Sequence, residues 1–276
     1  MEMDDNKLNH RPFPPGEITV PPLAYHEITV TKTLYRYGLT KDLFGEHVAS
    51  LQQLKRDGSG SHITFDDGHI SQLTNAVPIL EHFSERATFF VTAGWTSKRS
   101  GYMNWHHLRE LRARGHEVQS HGWSHVLLTQ CSLPALKREL VLSKNELEDR
   151  LGARVDAISM PGGRCNRQVL GACAAVGYTQ VFTSDPWSAK SSIDGIRLTG
   201  RWMATQNMNA EDVVMLLRRK GARVRFLRAS HGIKEFGKSL IGDRVYHAFW
   251  RAISHKNQSL EDIEQAHQFV QENKPR

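Results

Sequence analysis

The chain has 276 residues, enough for one large α/β domain or two small ones. Hydrophobic residues make up 39% and charged residues 24%, which is typical of a globular protein and excludes a fibrous or largely disordered chain. No apolar run approaches the length of a membrane-spanning helix. Segment 1–15 lacks the basic and apolar regions of a secretory signal, and the three cysteines form no CxxC pair. We therefore expect a cytoplasmic protein with reduced thiols.

The positive charge is concentrated in one part of the chain. The formal net charge is +7, and segment 218–256 alone holds eleven Lys or Arg residues against two acidic residues, a local charge of +9. Such a segment can contact anionic lipid headgroups or a phosphorylated substrate, or it can be a solvated helix surface. No zinc-finger spacing, RNA-binding pattern or repeat is present, so we expect no nucleic-acid partner.

The chain begins with a proline-rich segment, 1–22, that we expect to be a flexible lead. Residues 23–28 predict a short strand, and apolar residues at helical spacing predict a helix over 40–54. Further strands are predicted at 62–65, 87–91, 117–120, 155–160, 180–183 and 196–201. Further helices are predicted at 71–83, 104–114, 132–151, 167–176, 209–220 and 260–271. This alternation indicates a parallel sheet, either open or closed into a barrel.

Two acidic residues follow the predicted strand 62–65. Parallel α/β folds place their sites at the carboxyl ends of strands, and Asp66 and Asp67 lie at such an end. Gly68 suits a chain that leaves the strand there, which would allow both carboxylates to face one site. The alternative is an ordinary turn with solvated acids.

A histidine pair follows the predicted strand 117–120. His121 and His125 are four residues apart, a spacing that lets two imidazoles bind one cation. Together with Asp67 they would form a three-ligand set with open positions for water and substrate, as in catalytic zinc sites. Zinc is the expected ion, although other divalent first-row metals also accept nitrogen and oxygen ligands.

A glycine-containing turn, 160–166, follows the next strand. Its Gly162 and Gly163 could bring backbone N–H groups close to a substrate and contribute to an oxyanion hole. The alternative is a simple loop between strand and helix.

These ordered motifs resemble a known family. TFDDG, a histidine pair in the form SHxxSH and a Pro-Gly turn before Asn are similar to the motifs of the NodB-type polysaccharide deacetylases of carbohydrate esterase family 4. The resemblance covers roughly residues 23–201, including a lead-in, 24–28 and 37–44, that looks like that of bacterial members. It implies an α/β fold, namely the family's distorted, incomplete (β/α) barrel.

The resemblance also implies roles for individual residues. Asp66 falls on the catalytic base, and Asp67, His121 and His125 fall on the metal ligands. The implied chemistry is hydrolysis of a linear amide, in which a cation polarises the carbonyl while Asp66 takes a proton from water. A backbone N–H near Gly162 or Gly163 would help to hold the developing oxyanion.

Elsewhere the sequence departs from the family pattern. The arginine that normally orients the catalytic aspartate is replaced by Ser159, and Arg164 is a candidate substitute and substrate contact. Trp187 is a candidate sugar-stacking residue or a core residue. His231 is the candidate general acid, provided that 224–230 forms a barrel strand. Arg201, at the end of a predicted strand, is a further site candidate by position alone.

We therefore expect a divalent-metal hydrolase, with zinc preferred, that removes an N-acyl group from an amino sugar in an oligosaccharide, polysaccharide or lipid-linked glycan. The expected regions are a lead over 1–22, a catalytic domain over 23–232 and a basic helical extension over 233–276. The partner would be a carbohydrate, with peripheral contact to an anionic membrane through the basic segment, and no oligomeric state is predicted. The alternatives are a hydrolase of non-sugar amides and a degenerate domain that binds glycans without cleaving them.

Overall fold

The structure is a computed structural model that describes residues 20–58, 60–187, 192–193, 195–219 and 224. The lead over 1–19, the predicted helix 260–271 and the basic extension 233–276 lie outside the described residues, so the proposed domain boundaries stay predictions. In the described part of the chain, no helix combines the length and apolar character that crossing a membrane requires.

Short strands and longer helices alternate along the chain. The strands are β1 (Leu23–Tyr25), β2 (Glu27–Thr29), β3 (Gly38–Thr40), β4 (Ile63–Phe65), β5 (Ala87–Val91), β6 (Glu117–Ser120), β7 (Ala157–Ser159), β8 (Gln180–Thr183), β9 (Ser192–Ile193), β10 (Ile196–Gly200) and β11 (Trp202–Met203). The α-helices are α1 (Lys41–Arg56), α2 (Val77–His82), α3 (Trp105–Ala113), α4 (Leu133–Leu151), α5 (Arg167–Val176) and α6 (Ala210–Leu217). A π-helical turn over Gln72–Ala76 leads into α2.

Capping residues explain where several helices begin and end. The side chain of Asn104 accepts a hydrogen bond from the backbone N–H of His107 at the start of α3. Asn166 does the same for Val169 at the start of α5. Gly177 ends α5 with a φ of 90°, a left-handed conformation that glycine adopts without steric cost.

The main sheet is almost entirely parallel and nearly closes on itself. Its strand order is β11-β1-β4-β5-β6-β7-β8-β10-β9. β10 pairs with β8, whereas β11, which follows directly after Arg201, pairs with β1 on the other side. The backbone N–H of Arg201 donates to Thr183 (3.0 Å), and that of Trp202 donates to Pro22 (2.9 Å). The chain therefore changes partner strand at Arg201, and this near closure confirms the predicted incomplete (β/α) barrel.

Side-chain alternation separates the outer core from the barrel interior. Tyr25 and Phe65 are paired across β1 and β4, and both rings contact Phe44 on helix α1. Because successive strand side chains point to opposite faces, the residues that follow, His26 and Asp66, are directed toward the interior. The carboxyl ends of the strands therefore present polar groups to one shared space.

Inside the barrel a small apolar floor lies apart from the main core. It consists of Phe90, Ala157 and Phe182, all buried. The centre of the Arg201 guanidinium lies 5.4 Å from the ring centroid of Phe90 and 5.9 Å from that of Phe182. Arg201 is fully buried, so a cation rests directly on this floor, out of contact with solvent.

Candidate active site

Asp67, His121 and His125 converge at the carboxyl end of the barrel. Asp67 follows β4, and the two histidines follow β6. Their ligand atoms all lie within 4.8 Å of one another. The Nε2 atom of His121 and that of His125 are each 3.2 Å from Oδ1 of Asp67. One carboxylate oxygen and two imidazole nitrogens thus surround a single point.

The donor atoms fit a divalent cation. Oδ1 of Asp67 is buried and has no hydrogen-bond partner among the described residues, although two ring nitrogens lie close to it. A buried carboxylate oxygen without a partner is costly, and a cation would satisfy it. Burial would raise the pKa of Asp67, but the neighbouring His121 and His125 outweigh it and hold that pKa well below its usual range. An Asp-His-His set with open positions suits zinc and several other first-row ions.

The orientation of both histidines is fixed by neighbours. Nδ1 of His121 lies 2.9 Å from the carbonyl oxygen of Ser159, which can only accept, so Nδ1 carries the proton. The lone pair of His121 is therefore on Nε2, on the side of Asp67. The ring of His125 packs against Trp95, with ring centroids 5.1 Å apart.

The backbone is strained at two of the three candidate ligands. Asp67 has a φ of 75° and His125 a φ of 63°, both in the left-handed region that non-glycine residues rarely adopt. Such strain costs on the order of 1–3 kcal/mol and often occurs at functional sites. At Asp67 it turns the chain sharply after β4, which lets two successive carboxylates serve one site.

Asp66, the predicted base, is held by a different set of partners. Nη1 of Arg201 lies 2.8 Å from Oδ1 of Asp66, and Nη2 lies 2.7 Å from Oδ2. The hydroxyl of Ser159 donates to Oδ2 at 3.1 Å. Burial would raise the pKa of Asp66, but the charge of Arg201 prevails and lowers it below its ordinary value. The carboxylate is therefore ionised at neutral pH, as a general base requires.

The guanidinium paired with Asp66 thus belongs to Arg201. From the sequence, Arg201 is a candidate by position alone, and Arg164 is the candidate substitute for the missing arginine. Arg164 lies half-buried in the loop before α5, and its role toward substrate stays a prediction.

The glycine turn after β7 is tightly packed. Gly162 and Gly163 have φ values of 67° and 69°. A Cβ on Gly162 would lie 2.4 Å from Cδ2 of Leu127. The N–H of Gly163 already donates to the carbonyl of Met160 at 2.7 Å. Within this turn, the oxyanion hypothesis therefore depends on Gly162.

Trp187, a further predicted site residue, has an aromatic and a cationic neighbour. Trp187 is half-buried and packs edge-to-face on Trp202, with centroids 5.2 Å apart, while the guanidinium of Arg219 lies 5.9 Å from its ring centroid. These contacts are those of a core residue, which was one of the two interpretations of Trp187. The other interpretation, stacking on a sugar, stays a prediction. His231 lies outside the described residues.

His26 is a candidate that the sequence reasoning missed. Tyr25 pairs with Phe65 in register, so His26 follows β1 at the level of Asp66. The side-chain amide of Gln72 donates to the carbonyls of both His26 (2.8 Å) and Asp66 (2.5 Å). The Nδ1 atom of His26 is buried without a hydrogen-bond partner among the described residues. Burial lowers the pKa of His26, while the charges of Asp67 and Asp66 act to raise it.

The signal for His26 was present in the sequence. The sequence predicts one strand over 23–28, but the structure divides this segment into β1 and β2 at His26. A polar residue at the end of a buried strand, within the lead-in that already resembled the family, marks it as a site candidate.

The cysteines offer no alternative nucleophile. All three are free thiols, as expected from the sequence. Burial raises the pKa of Cys131 and of Cys165 to about 11 each, and it also raises that of Cys173. Thiolate attack needs a lowered pKa, so the chemistry of this site belongs to the carboxylates and imidazoles.

Comparisons with known proteins agree with this geometry. The polysaccharide deacetylase family model matches residues 54–181. The chitooligosaccharide deacetylase of Sinorhizobium fredii is 30% identical over 154 residues, which cover 53% of this chain and 69% of the relative. YxkH of Bacillus subtilis is 28% identical over 127 residues, which cover 46% of this chain but only 45% of YxkH. The match thus spans less than half of that relative's length.

A solved structure shows the same fold. The Streptococcus pyogenes deacetylase PplD, in complex with acetate, superimposes with a TM-score of 0.64 and 25% identity, covering 72% of this chain and 97% of PplD. The near-closed parallel barrel, the Asp-His-His cluster beside a buried aspartate and the two sequence relatives all lead to one assignment. This chain belongs to the polysaccharide deacetylase family.

Proposed function

We propose that this protein is a metal-dependent hydrolase that removes the N-acetyl group from an amino sugar in an oligosaccharide, polysaccharide or lipid-linked glycan. The observation that carries the proposal is the convergence of Asp67, His121 and His125 on one point, next to an ionised and buried Asp66. The names of two relatives support it, because one is a chitooligosaccharide deacetylase and the other was solved with acetate, the acid that deacetylation releases.

The residues divide the chemistry among them. A divalent cation held by Asp67, His121 and His125 would supply Lewis acidity toward the amide carbonyl and make a nearby water more acidic. Asp66 takes a proton from a water molecule while the oxygen of that water bonds to the carbonyl carbon of the amide. The N–H of Gly162 is the candidate donor to the developing oxyanion. The C–N bond then breaks, giving acetate and a free amine.

The leaving nitrogen needs a proton, and we propose His26 as its donor. His26 lies beside Asp66 at the end of the neighbouring strand and has an uncommitted buried Nδ1 atom. Proton donation requires hydrogen-bond reach to the leaving group, and this position faces the same space as the ligands. His231 remains the competing candidate from the family pattern.

The cellular setting is also a proposal. We propose that the protein is cytoplasmic and that its basic segment, 218–256, contacts an anionic membrane surface. The zinc site would then act on a carbohydrate at that surface. Most of that segment lies outside the described residues, so the proposal depends on its charge of +9 alone.

The test is acetate release by the purified protein after zinc loading. Substrates would be N-acetylglucosamine oligomers, an N-acetylated amino acid and a cyclic amide, with the Asp66→Asn variant as control. We expect acetate from the oligomers and almost none with the variant. Turnover restricted to the non-sugar amides would favour the other hydrolase alternative. Glycan binding without acetate release would show a degenerate binding domain.

A further inference from the structure

We propose that Arg201 and Ser159 are positioning residues that leave a single oxygen, Oδ1 of Asp66, to accept the proton from water. This inference rests on the proposed role of Asp66 as the general base. It identifies the carboxylate oxygen that accepts the proton and the groups that leave this oxygen available.

The guanidinium of Arg201 is completely engaged. Its Nε lies 3.5 Å from the carbonyl oxygen of Thr183, and Nη1 donates to Oγ1 of Thr64 at 3.0 Å as well as to Asp66. Its Nη2 donates to Oδ2 of Asp66 and, at 2.7 Å, to the hydroxyl oxygen of Ser159. All five N–H donors of an arginine therefore have an acceptor, which fixes the plane of the side chain.

Ser159 closes a ring between the arginine and the carboxylate. Its hydroxyl accepts from Nη2 of Arg201 and donates its own hydrogen to Oδ2 of Asp66 at 3.1 Å. The hydroxyl has one hydrogen, so accepting from the arginine directs that hydrogen to the carboxylate. The three groups are all buried, so water does not compete for these bonds.

Counting acceptor positions identifies the reactive oxygen. An ionised carboxylate offers about four lone-pair positions, two on each oxygen. On Asp66, Oδ2 receives both Arg201 and Ser159, whereas Oδ1 receives only Nη1 of Arg201 among the described residues. One position is left, and it is on Oδ1. The clamp therefore sets both the orientation of the base and the atom that is available to water.

A structural ion pair and a positioning device predict different kinetics. If Arg201 only supports folding, its loss should add to that of Asp66. If it acts through Asp66, its loss should cost little once Asp66 can no longer act as a base, because coupled residues are strongly non-additive.

The experiment is a double-mutant cycle of Arg201→Ala and Asp66→Asn, with kcat, KM and bound zinc measured for each variant. We expect Arg201→Ala to lower kcat by roughly 10²-fold, within the ~10²–10⁴-fold range of a general base, with KM and zinc content little changed. The double variant should be no slower than Asp66→Asn alone. If the fold loss of kcat in the double variant equals the product of the losses in the two single variants, the inference is wrong.

Chemical rescue gives a second readout on the Arg201→Ala variant. Guanidinium ion, well below denaturing concentrations, should restore part of kcat because it can occupy the vacated space and pair with Asp66. Urea, its neutral isostere, should not. Ser159→Ala should show a smaller loss of kcat than Arg201→Ala, since both oxygens remain paired with the arginine. Equal rescue by urea would contradict the clamp.

Foldedness and function are separated within the same set. Circular dichroism and zinc content of each variant report whether the barrel has formed. A wild-type protein without amidase activity would remove the proposed function and this inference with it. If the wild-type protein is active and Arg201→Ala has the same kcat, this inference is wrong and the proposed function still stands.

Discussion

Ser159 supports both halves of the site, because its carbonyl oxygen lies 2.9 Å from Nδ1 of His121 and its hydroxyl lies 3.1 Å from Oδ2 of Asp66. The main chain of one residue thus sets the tautomer of a proposed metal ligand, while its side chain contacts the proposed base. Side-chain replacement at Ser159 should therefore affect the base and spare the ligand.

Replacing either candidate histidine ligand should weaken zinc binding. We expect His121→Ala and His125→Ala to weaken zinc affinity on the order of 10²-fold or more, since even outer-shell changes typically cost 10–100-fold. Zinc retained after dialysis against a chelator, measured by elemental analysis, gives the readout. His106→Ala, at an exposed position on α3, is the matched control and should retain wild-type zinc content.

The two adjacent aspartates should separate in their effects. Asp66→Asn should keep zinc but lose about 10²–10⁴-fold in kcat, because it removes the base. Asp67→Asn should also lose zinc, because it removes a ligand oxygen. Metal content and kcat, measured on the same preparations, distinguish the role of Asp66 from that of Asp67. Identical metal content and identical residual rates would show that the roles are assigned wrongly.

The proton donor can be identified with two substrates that differ in leaving group. An amide needs its leaving nitrogen protonated, whereas an activated aryl ester releases a stable phenolate without help. We expect His26→Ala to lose amide hydrolysis and to retain most aryl-ester hydrolysis, with zinc still bound. If His231→Ala shows that pattern and His26→Ala does not, then His231 is the general acid, as the family pattern implies, and His26 has another role.

The glycine turn after β7 should not accept a side chain. A Cβ on Gly163 would lie 1.6 Å from Oγ of Ser184, at a φ of 69°. Positive φ costs about 1–2 kcal/mol and overpacking a further ~1–3 kcal/mol. Gly163→Ala should therefore lower the free energy of unfolding more than Gly152→Ala, whose φ is 59° and whose Cβ would meet no atom within 4 Å. Urea titration gives both values.

Glu117 should make stability depend on pH. Burial, with the charge of Asp156, raises the pKa of Glu117 from 4.5 to about 7, against the opposing effects of Gln119 and Arg112. Between these values the folded state binds more protons than the unfolded state, so stability falls as pH rises. Glu117→Gln removes this dependence.

We therefore expect the Glu117→Gln variant to have a higher midpoint of thermal unfolding than wild type above pH 7. Below pH 4.5 the difference should vanish, because the carboxyl is protonated in both states. Asp149→Asn, at an exposed position on α4, controls for loss of a negative charge. A difference that is constant across pH would contradict this explanation.

The alternation of patterns predicted most strands and helices, and the family resemblance predicted that the sheet closes into an incomplete barrel. Strands 87–91, 117–120 and 180–183 and helix 167–176 were predicted with the observed bounds, because buried parallel strands and capped helices carry strong local patterns. The histidine pair was recognisable for a similar reason, since both residues lie within one short segment after one strand.

The clamp on the base could not be predicted in the same way. Arg201 and Asp66 are 135 positions apart, and they meet because the chain changes strand partners at Arg201. That event depends on how the barrel closes, which hydropathy does not encode. Ser159 is small enough to leave this space to a distant arginine, an exchange that a motif comparison registers only as a missing residue.

The seam of the barrel carries a further consequence. β11 is only two residues long and lies at one end of the strand order, so this edge should open more readily than the central strands. Opening would draw Arg201 away from Asp66 while the main hydrophobic core stayed intact. The proposed activity should then be lost by local unfolding, at denaturant concentrations too low for global unfolding, and amide hydrogens near Trp202 should exchange before those of β5. Catalytic competence would thus report on whether the barrel is closed at this seam.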